Sequence, residues 1–143
     1  KYSQKLSGPI MDRIDIQKHF RSVDIKDLTN DIKGPTSKSL AIKVERARSI
    51  QRKRYENIIG ISCNAQMTPE LIKEYCKLDE ESMKILMLAY EKFKYSARTY
   101  HKFLRVARTF ADMDGEENIK KTHIIKAIMC REIEKEQATM VVV

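Results

Sequence analysis

Apolar residues return every three or four positions through 96–115, SARTYHKFLRVARTFADMDG. Ala97, Tyr100, Leu104, Ala107 and Ala111 make one stripe, and Phe103 and Phe110 widen it. The pattern predicts a helix of about five turns with one buried flank. Ser96 is placed to cap its start by accepting an orphan backbone N–H. Asp114-Gly115 supplies the stop, since glycine enters the left-handed conformation without steric penalty. Beside the apolar arc run Arg98, His101, Arg105 and Arg108. A helix patterned this way buries one side and presents guanidinium groups from the other, either to water alone or to an anion.

The same period governs most of the chain from Ser37 onward. Leu40, Val44, Ala47 and Ile50 mark the expected buried side of a helix reaching about Tyr55, and 56–66 reads as an irregular loop. Thr68-Pro69-Glu70 is a strong start signal, with threonine as cap and proline in the first helical position. It opens a short helix with Leu71, Ile72 and Tyr75 inward. Asp79 caps the next, whose Met83, Leu86, Met87, Tyr90 and Phe93 form a core stripe. A tight turn at Lys94-Tyr95 leads into the 96–115 helix. Thr122 is expected to cap a last helix running to about Glu134, with Ile124, Ile125 and Ile128 apolar. Helices joined by short loops predict an antiparallel bundle.

Ahead of Ser37 the period changes. Alternating Ile14 and Ile16 predict a short half-buried strand extending as far as Phe20. One short strand makes no stable sheet, so its partners are expected outside this sequence. Gly34-Pro35-Thr36 is a break and marks the expected domain boundary. The expected organisation is 1–35 as the end of one domain, 36–135 as a helical domain and 136–143 as a frayed tail.

Composition agrees with a mostly α chain: 42% apolar, 34% charged, four glycines, three prolines and no tryptophan. No apolar run is long enough to span a membrane. Three cysteines, Cys63, Cys76 and Cys130, provide no disulfide framework and no metal knuckle, and are expected as small buried hydrophobes in a cytoplasmic protein. The net charge of +8 is concentrated in 1–67, where 14 Lys and Arg face 7 Asp and Glu. Within 43–54, Lys43, Arg46, Arg48, Arg52, Lys53 and Arg54 are accompanied by a single acid, Glu45. Of these, Arg48, Arg52 and Lys53 are the candidates for contact with nucleic-acid phosphates. Catalytic signatures are missing: there is no G-x-x-x-x-G-K-[ST] phosphate loop, no H-E-x-x-H and no G-x-S-x-G. His19, His101 and His123 are scattered. Self-contained catalysis is not expected of this sequence.

Three blocks carry a resemblance: SGPIMDRIDI at 7–16, Asn64-Ala65-Gln66-Met67, and SARTYHKFLRVARTFADMDG. In this order and spacing they closely resemble the C-terminal part of the magnesium-chelatase-like AAA+ ATPases, most nearly the ComM (YifB) branch, over about residues 1–134. The resemblance implies that SGPIMDRID ends a nucleotide-binding α/β core and that the helices after it form its lid. The fold class is then a mostly α helical bundle preceded by a short remnant of the core. Members typically carry a phosphate loop and a cysteine cluster upstream of these blocks, so the sequence reads as a C-terminal piece. Gln17-Lys18-His19-Phe20 departs from the alternating valines and acids usual after DRID.

The resemblance also gives the arginines roles. Arg13 stands where an arginine finger is expected, reaching a neighbour's γ-phosphate; the plain alternative is an ion pair with Asp12 or Asp15. Arg98 stands at the sensor-2 position and is expected to touch nucleotide phosphate, in its own subunit or an adjacent one. Arg105 is a weaker candidate of the same kind, and Arg105 and Arg108 are equally suited to holding the lid's packing. ATP and Mg²⁺ are implied for the full-length protein and none for this chain alone, which is expected to be inactive by itself. Self-association into a ring and action on a macromolecule, DNA above all, are implied, with no membrane. The rival readings are a stand-alone basic helical module that binds nucleic acid and an adaptor for a protein partner.

Overall fold

The computed structural model describes residues 10, 13–18, 20, 22 and 34–131. Five α-helices lie within 34–131: α1 (Ser37–Arg54), α2 (Pro69–Tyr75), α3 (Glu80–Phe93), α4 (Ala97–Asp114) and α5 (Lys121–Met129). A 3₁₀ turn, Asn64–Gln66, lies between α1 and α2. The described residues contain no strand, only isolated parallel bridges, Gln17 with Arg131 and Leu78 with Ile119. The chain is mostly α, as its periodicity predicts.

Local chemistry starts and stops the helices. Thr36 caps α1 by accepting the Ser39 N–H at 3.2 Å. Thr68 caps α2 at Leu71 N–H, with Pro69 in the first turn, and Asp79 caps α3 at Ser82 N–H over 2.7 Å. Three ends differ from expectation. Ser96 precedes α4, but its hydroxyl meets Thr99 Oγ1 at 3.1 Å instead of a backbone N–H. Helix α5 begins one residue before Thr122: Lys120 is its cap position, and His123 Nδ1 accepts the Lys120 N–H at 3.0 Å. It ends at Met129, not near Glu134. Gly115 closes α4 with φ of 73°, and its N–H turns back to the Ala111 and Asp112 carbonyls.

The core gathers around α4. Phe103, Leu104, Ala107 and Ala111 are buried there against Ile124, Ala127 and Ile128 of α5, Leu86 of α3, Ile72 of α2, and Tyr55 and Met67 from the intervening segments. Tyr95 joins this core by an edge-on contact with Phe103, centroids 4.9 Å apart. Helix α1 packs by its C-terminal half alone. Ala47 and Gln51 are buried, whereas Leu40 and Val44, expected to face inward, are 47% and 54% exposed. The first half of α1 therefore projects from the bundle. Of the cysteines only Cys76 is fully buried, and burial pushes its thiol up to about 12, which leaves it chemically inert.

Residues 13–17 form a strap that runs beside α4 and reaches the C-terminal end of α5. Gln17 N–H donates to the Cys130 carbonyl at 2.5 Å, and Arg131, fully buried, donates to the Ile14 carbonyl at 2.7 Å. The strap reverses the predicted pattern: Ile14 and Ile16 are exposed, and the polar Gln17, the bridge partner of Arg131, is buried. Alternation predicts a sheet face only where a sheet exists, and among the described residues one bridge replaces it. The expectations placed on 1–9 and 136–143 lie outside the described residues.

Candidate functional site

Two polar assemblies flank α4, and they divide its arginines between them. The first is closed. Asp112, with no exposed surface, receives Arg54 in a two-pronged pair, Nη1 at 2.9 Å from Oδ2 and Nη2 on Oδ1. Arg108 Nε donates to the same Oδ1 at 3.1 Å and Asn64 Nδ2 to Oδ2 at 2.8 Å. Asn64 Oδ1 in turn accepts from Arg54 and from the Tyr55 hydroxyl, at 3.0 and 2.7 Å. Arg108 spends its other two nitrogens on the Glu116 and Glu117 carbonyls, both at 2.6 Å. Every cation here is answered by protein, so the network ties α1, the 3₁₀ turn and the end of α4 together. Arg54, counted among the surface cations by its sequence neighbours, belongs to this interior.

The second assembly is open. Arg13, Asp15, Arg98, His101, Lys102 and Arg105 line one basin of about 450 Å³ between the strap and the N-terminal half of α4. Helix geometry explains the convergence: 98, 101, 102 and 105 are three and four apart and so share a face. The strap brings in Arg13 and Asp15 through the Gln17 bridge and the Arg131–Ile14 bond. Arg13 and Arg98 are exposed, and among the described residues neither guanidinium has a hydrogen bond or ion pair. Arg105 is anchored through Nη2 on the Met67 carbonyl at 2.6 Å, while its Nε is buried without a partner. Lys102, whose side chain is 8% exposed, holds Nζ 3.0 Å from Asp15 Oδ1 without the geometry of a hydrogen bond. Four cations thus face one carboxylate in a partly desolvated hollow with donors left over.

Arg13, Arg98 and Arg105 are therefore brought together, although Arg13 and Arg98 are far apart in sequence. Asp15 pairs with Lys102 and not with Arg13, which removes one of the two ion pairs offered as the alternative role of Arg13; Asp12, the other, lies outside the described residues. Lys102 was not recognised in the sequence, yet its position four residues after Arg98, on the same helical face, could have singled it out. Arg48, Arg52 and Lys53 take no part in the basin. They lie exposed on α1, where Arg52 pairs with Glu45.

Residues 34–131, which contain the closed network, the α4 side of the basin and all five helices, match the family described as magnesium chelatase, subunit ChlI C-terminal. The chain belongs to this family. Over 129 residues the chain is 34% identical to the competence protein ComM of Haemophilus influenzae, covering 90% of this chain and 24% of that protein. The uncharacterized protein YifB of Escherichia coli K12 is 29% identical over 136 residues, covering 94% of this chain and 26% of its own length. The chain thus spans about a quarter of the length of these curated relatives. Both alignments extend beyond the chelatase C-terminal domain toward the strap that completes the basin. Among the described residues no three His, Cys, Asp or Glu side chains gather as a metal site, and no helix is long and apolar enough to cross a membrane.

Proposed function

We propose that this chain is the lid of a magnesium-chelatase-like AAA+ ATPase, from about residue 36, together with the last segment of its nucleotide-binding core. Its biochemical role is to present cations to the phosphates of ATP. The observation that carries this reading is the shared basin: Arg13 and Arg98 open onto one hollow, beside buried Lys102 and Arg105 nitrogens. Phosphoryl transfer spreads charge over phosphate oxygens, and a fixed planar guanidinium stabilises that charge at little reorganisation cost. The donor set suits phosphate. Mg²⁺ needs hard oxygen ligands, and a basin of cations with one carboxylate would leave these to the nucleotide and to other parts of the protein.

In this reading Arg13 is the arginine finger, and Arg98 holds the same phosphate chain from the lid. One basin serves one nucleotide, so a finger that reaches a neighbouring subunit brings Arg98 to that same neighbour. Arg105 supports the wall through Met67 and adds its Nε to the field. Hydrolysis would drive remodelling of a macromolecule by a ring of such subunits. Replacing Arg13 or Arg98 by alanine in the full-length protein tests the assignment. ATP hydrolysis should fall by about 10³ or more for the finger, with helical content unchanged. Rates within twofold of the parent for both variants would contradict it.

DNA is the substrate class we propose for that remodelling. The Haemophilus relative is named a competence protein, and the projecting half of α1 leads into an exposed row of Arg48, Arg52 and Lys53. Replacing these three by glutamine should weaken DNA binding and flatten its dependence on salt, because fewer counterions are released per bound phosphate. Identical salt slopes for the variant and parent would remove α1 from the DNA account.

A further inference from the structure

The basin contains a device that its phosphate-binding reading, on which this inference rests, does not require. Lys102 is the most deeply buried cation lining the basin, with a side chain 8% exposed, and burying an ammonium group is unfavourable unless it is paired. Among the described residues lining the basin its one anionic neighbour is Asp15, with Oδ1 at 3.0 Å, yet Nζ makes no hydrogen bond of ordinary geometry. Asp15 is itself 54% exposed, so its carboxylate stands at the mouth of the hollow and can turn to water readily. A carboxylate and a phosphate oxygen make the same demand on an ammonium donor. Asp15 also lies two residues after Arg13 on a strap that Gln17 and Arg131 pin to the helices.

We propose that Asp15 is an internal stand-in for the ligand. In the resting chain its carboxylate holds Lys102, and an incoming polyphosphate displaces it and takes the ammonium group over. Lys102 then becomes a further phosphate-binding residue, and Asp15 a positioning residue that sets how readily the basin fills. The exchange joins the two halves of the site. The carboxylate that leaves Lys102 sits on the same short strap as Arg13, so occupancy of the lid is reported to the finger. Without a ligand, Lys102 keeps a partner and the lid avoids an unpaired buried charge.

Inorganic tripolyphosphate is the probe, titrated calorimetrically at low salt into this chain and its variants. Asp15→Asn should tighten binding about tenfold, the gain expected if the stand-in occupies Lys102 in nine molecules of ten. Glu91→Gln, which removes one exposed acid on α3, controls for net charge and should leave the affinity unchanged. Lys102→Met should weaken binding, and adding Asp15→Asn to it should change nothing further, because Asp15 acts through Lys102. In the parent, the Asp15 side-chain carboxyl carbon resonance should shift on saturation as the pair opens. Melting curves identify any variant that fails to fold, and that carboxyl shift then decides the question in the parent alone. Equal affinity for Asp15→Asn and the parent, or equal tightening with and without Lys102, would overturn the stand-in and leave the phosphate-binding basin in place. Absence of tripolyphosphate binding in every folded variant would overturn both.

Discussion

Removing the Asp112 carboxylate is the most informative perturbation of the fold. Asp112 has no exposed surface and receives four hydrogen bonds, three of them from Arg54 and Arg108 guanidiniums whose side chains are 14% and 3% exposed. In Asp112→Ala both guanidiniums remain buried without their counter-ion. Breaking a buried ion pair from one side costs about 3–5 kcal/mol. Two stranded arginines do not double this, because Arg108 keeps the Glu116 and Glu117 carbonyls and Arg54 keeps Asn64 Oδ1. A loss of about 3–5 kcal/mol is a large share of the roughly 5–15 kcal/mol that holds a domain together. At about 4–8 °C per kcal/mol for a domain of this size, the melting temperature should drop by at least about 12 °C. Urea unfolding followed by far-ultraviolet circular dichroism gives the value directly, provided the slope with denaturant is unchanged. Adding Arg54→Met should then destabilise by less than the sum of the two single changes, since one stranded charge is gone. The coupling should be about 0.5–3 kcal/mol. A loss below about 1 kcal/mol at unchanged slope, or strict additivity, would refute the claim that this network ties α1 to α4.

Gly115→Ala should destabilise by about 1–2 kcal/mol in the same assay, since φ is 73° and the left-handed region penalises a Cβ. The nearby Arg46 guanidinium is the far end of a flexible chain and can move aside, so a much larger loss would point to a rigid contact instead. His123 predicts a pH dependence. Burial pushes its pKa below the ordinary value of 6.5, with the Asp114 carboxylate acting in the opposite direction and Lys126 and Arg108 reinforcing burial. Protonation would also take Nδ1 away from the Lys120 N–H it accepts. The unfolded chain therefore binds the proton more readily, and this stability is full above about pH 6.5 and lost as pH falls below it. The melting temperature should drop between pH 7.5 and 5.5, and His123→Gln should flatten the drop; parallel curves for the two proteins would remove His123 as the cause.

Helix content, helix order and most caps were legible because they rest on local chemistry. Thr68, Asp79 and Gly115 act on neighbours within four residues, and the stripe through Leu104, Ala107 and Ala111 follows from helical period alone. What could not be read was long-range. Leu40 and Val44 continue the stripe of Ala47, but period does not reveal that the helix outruns the surface it packs on. The period-two pattern of Ile14 and Ile16 carries no information about whether a sheet is there to receive it. Nor does the run 43–54 distinguish Arg54, drawn inward by Asp112, from Arg52 two residues earlier. At the basin, Arg98 and Arg105 were visible as a helical stripe, and Arg13 entered through family resemblance. Their convergence depends on the Gln17–Arg131 bridge, a contact between the two ends of the described chain that no local pattern encodes.

The central claim is that Arg13 and Arg98 of one chain serve a single nucleotide together. Mixing two inactive full-length variants tests it most directly. One variant has its phosphate loop disabled and both arginines intact; the other has an intact loop and Arg98→Ala, with Arg13→Ala examined in parallel. If both arginines reach the nucleotide of the same neighbour, each mixture should recover ATP hydrolysis, because intact loops then meet intact arginines across the subunit boundary. Recovery with Arg13→Ala but none with Arg98→Ala would place the two arginines on different nucleotides and contradict the shared basin.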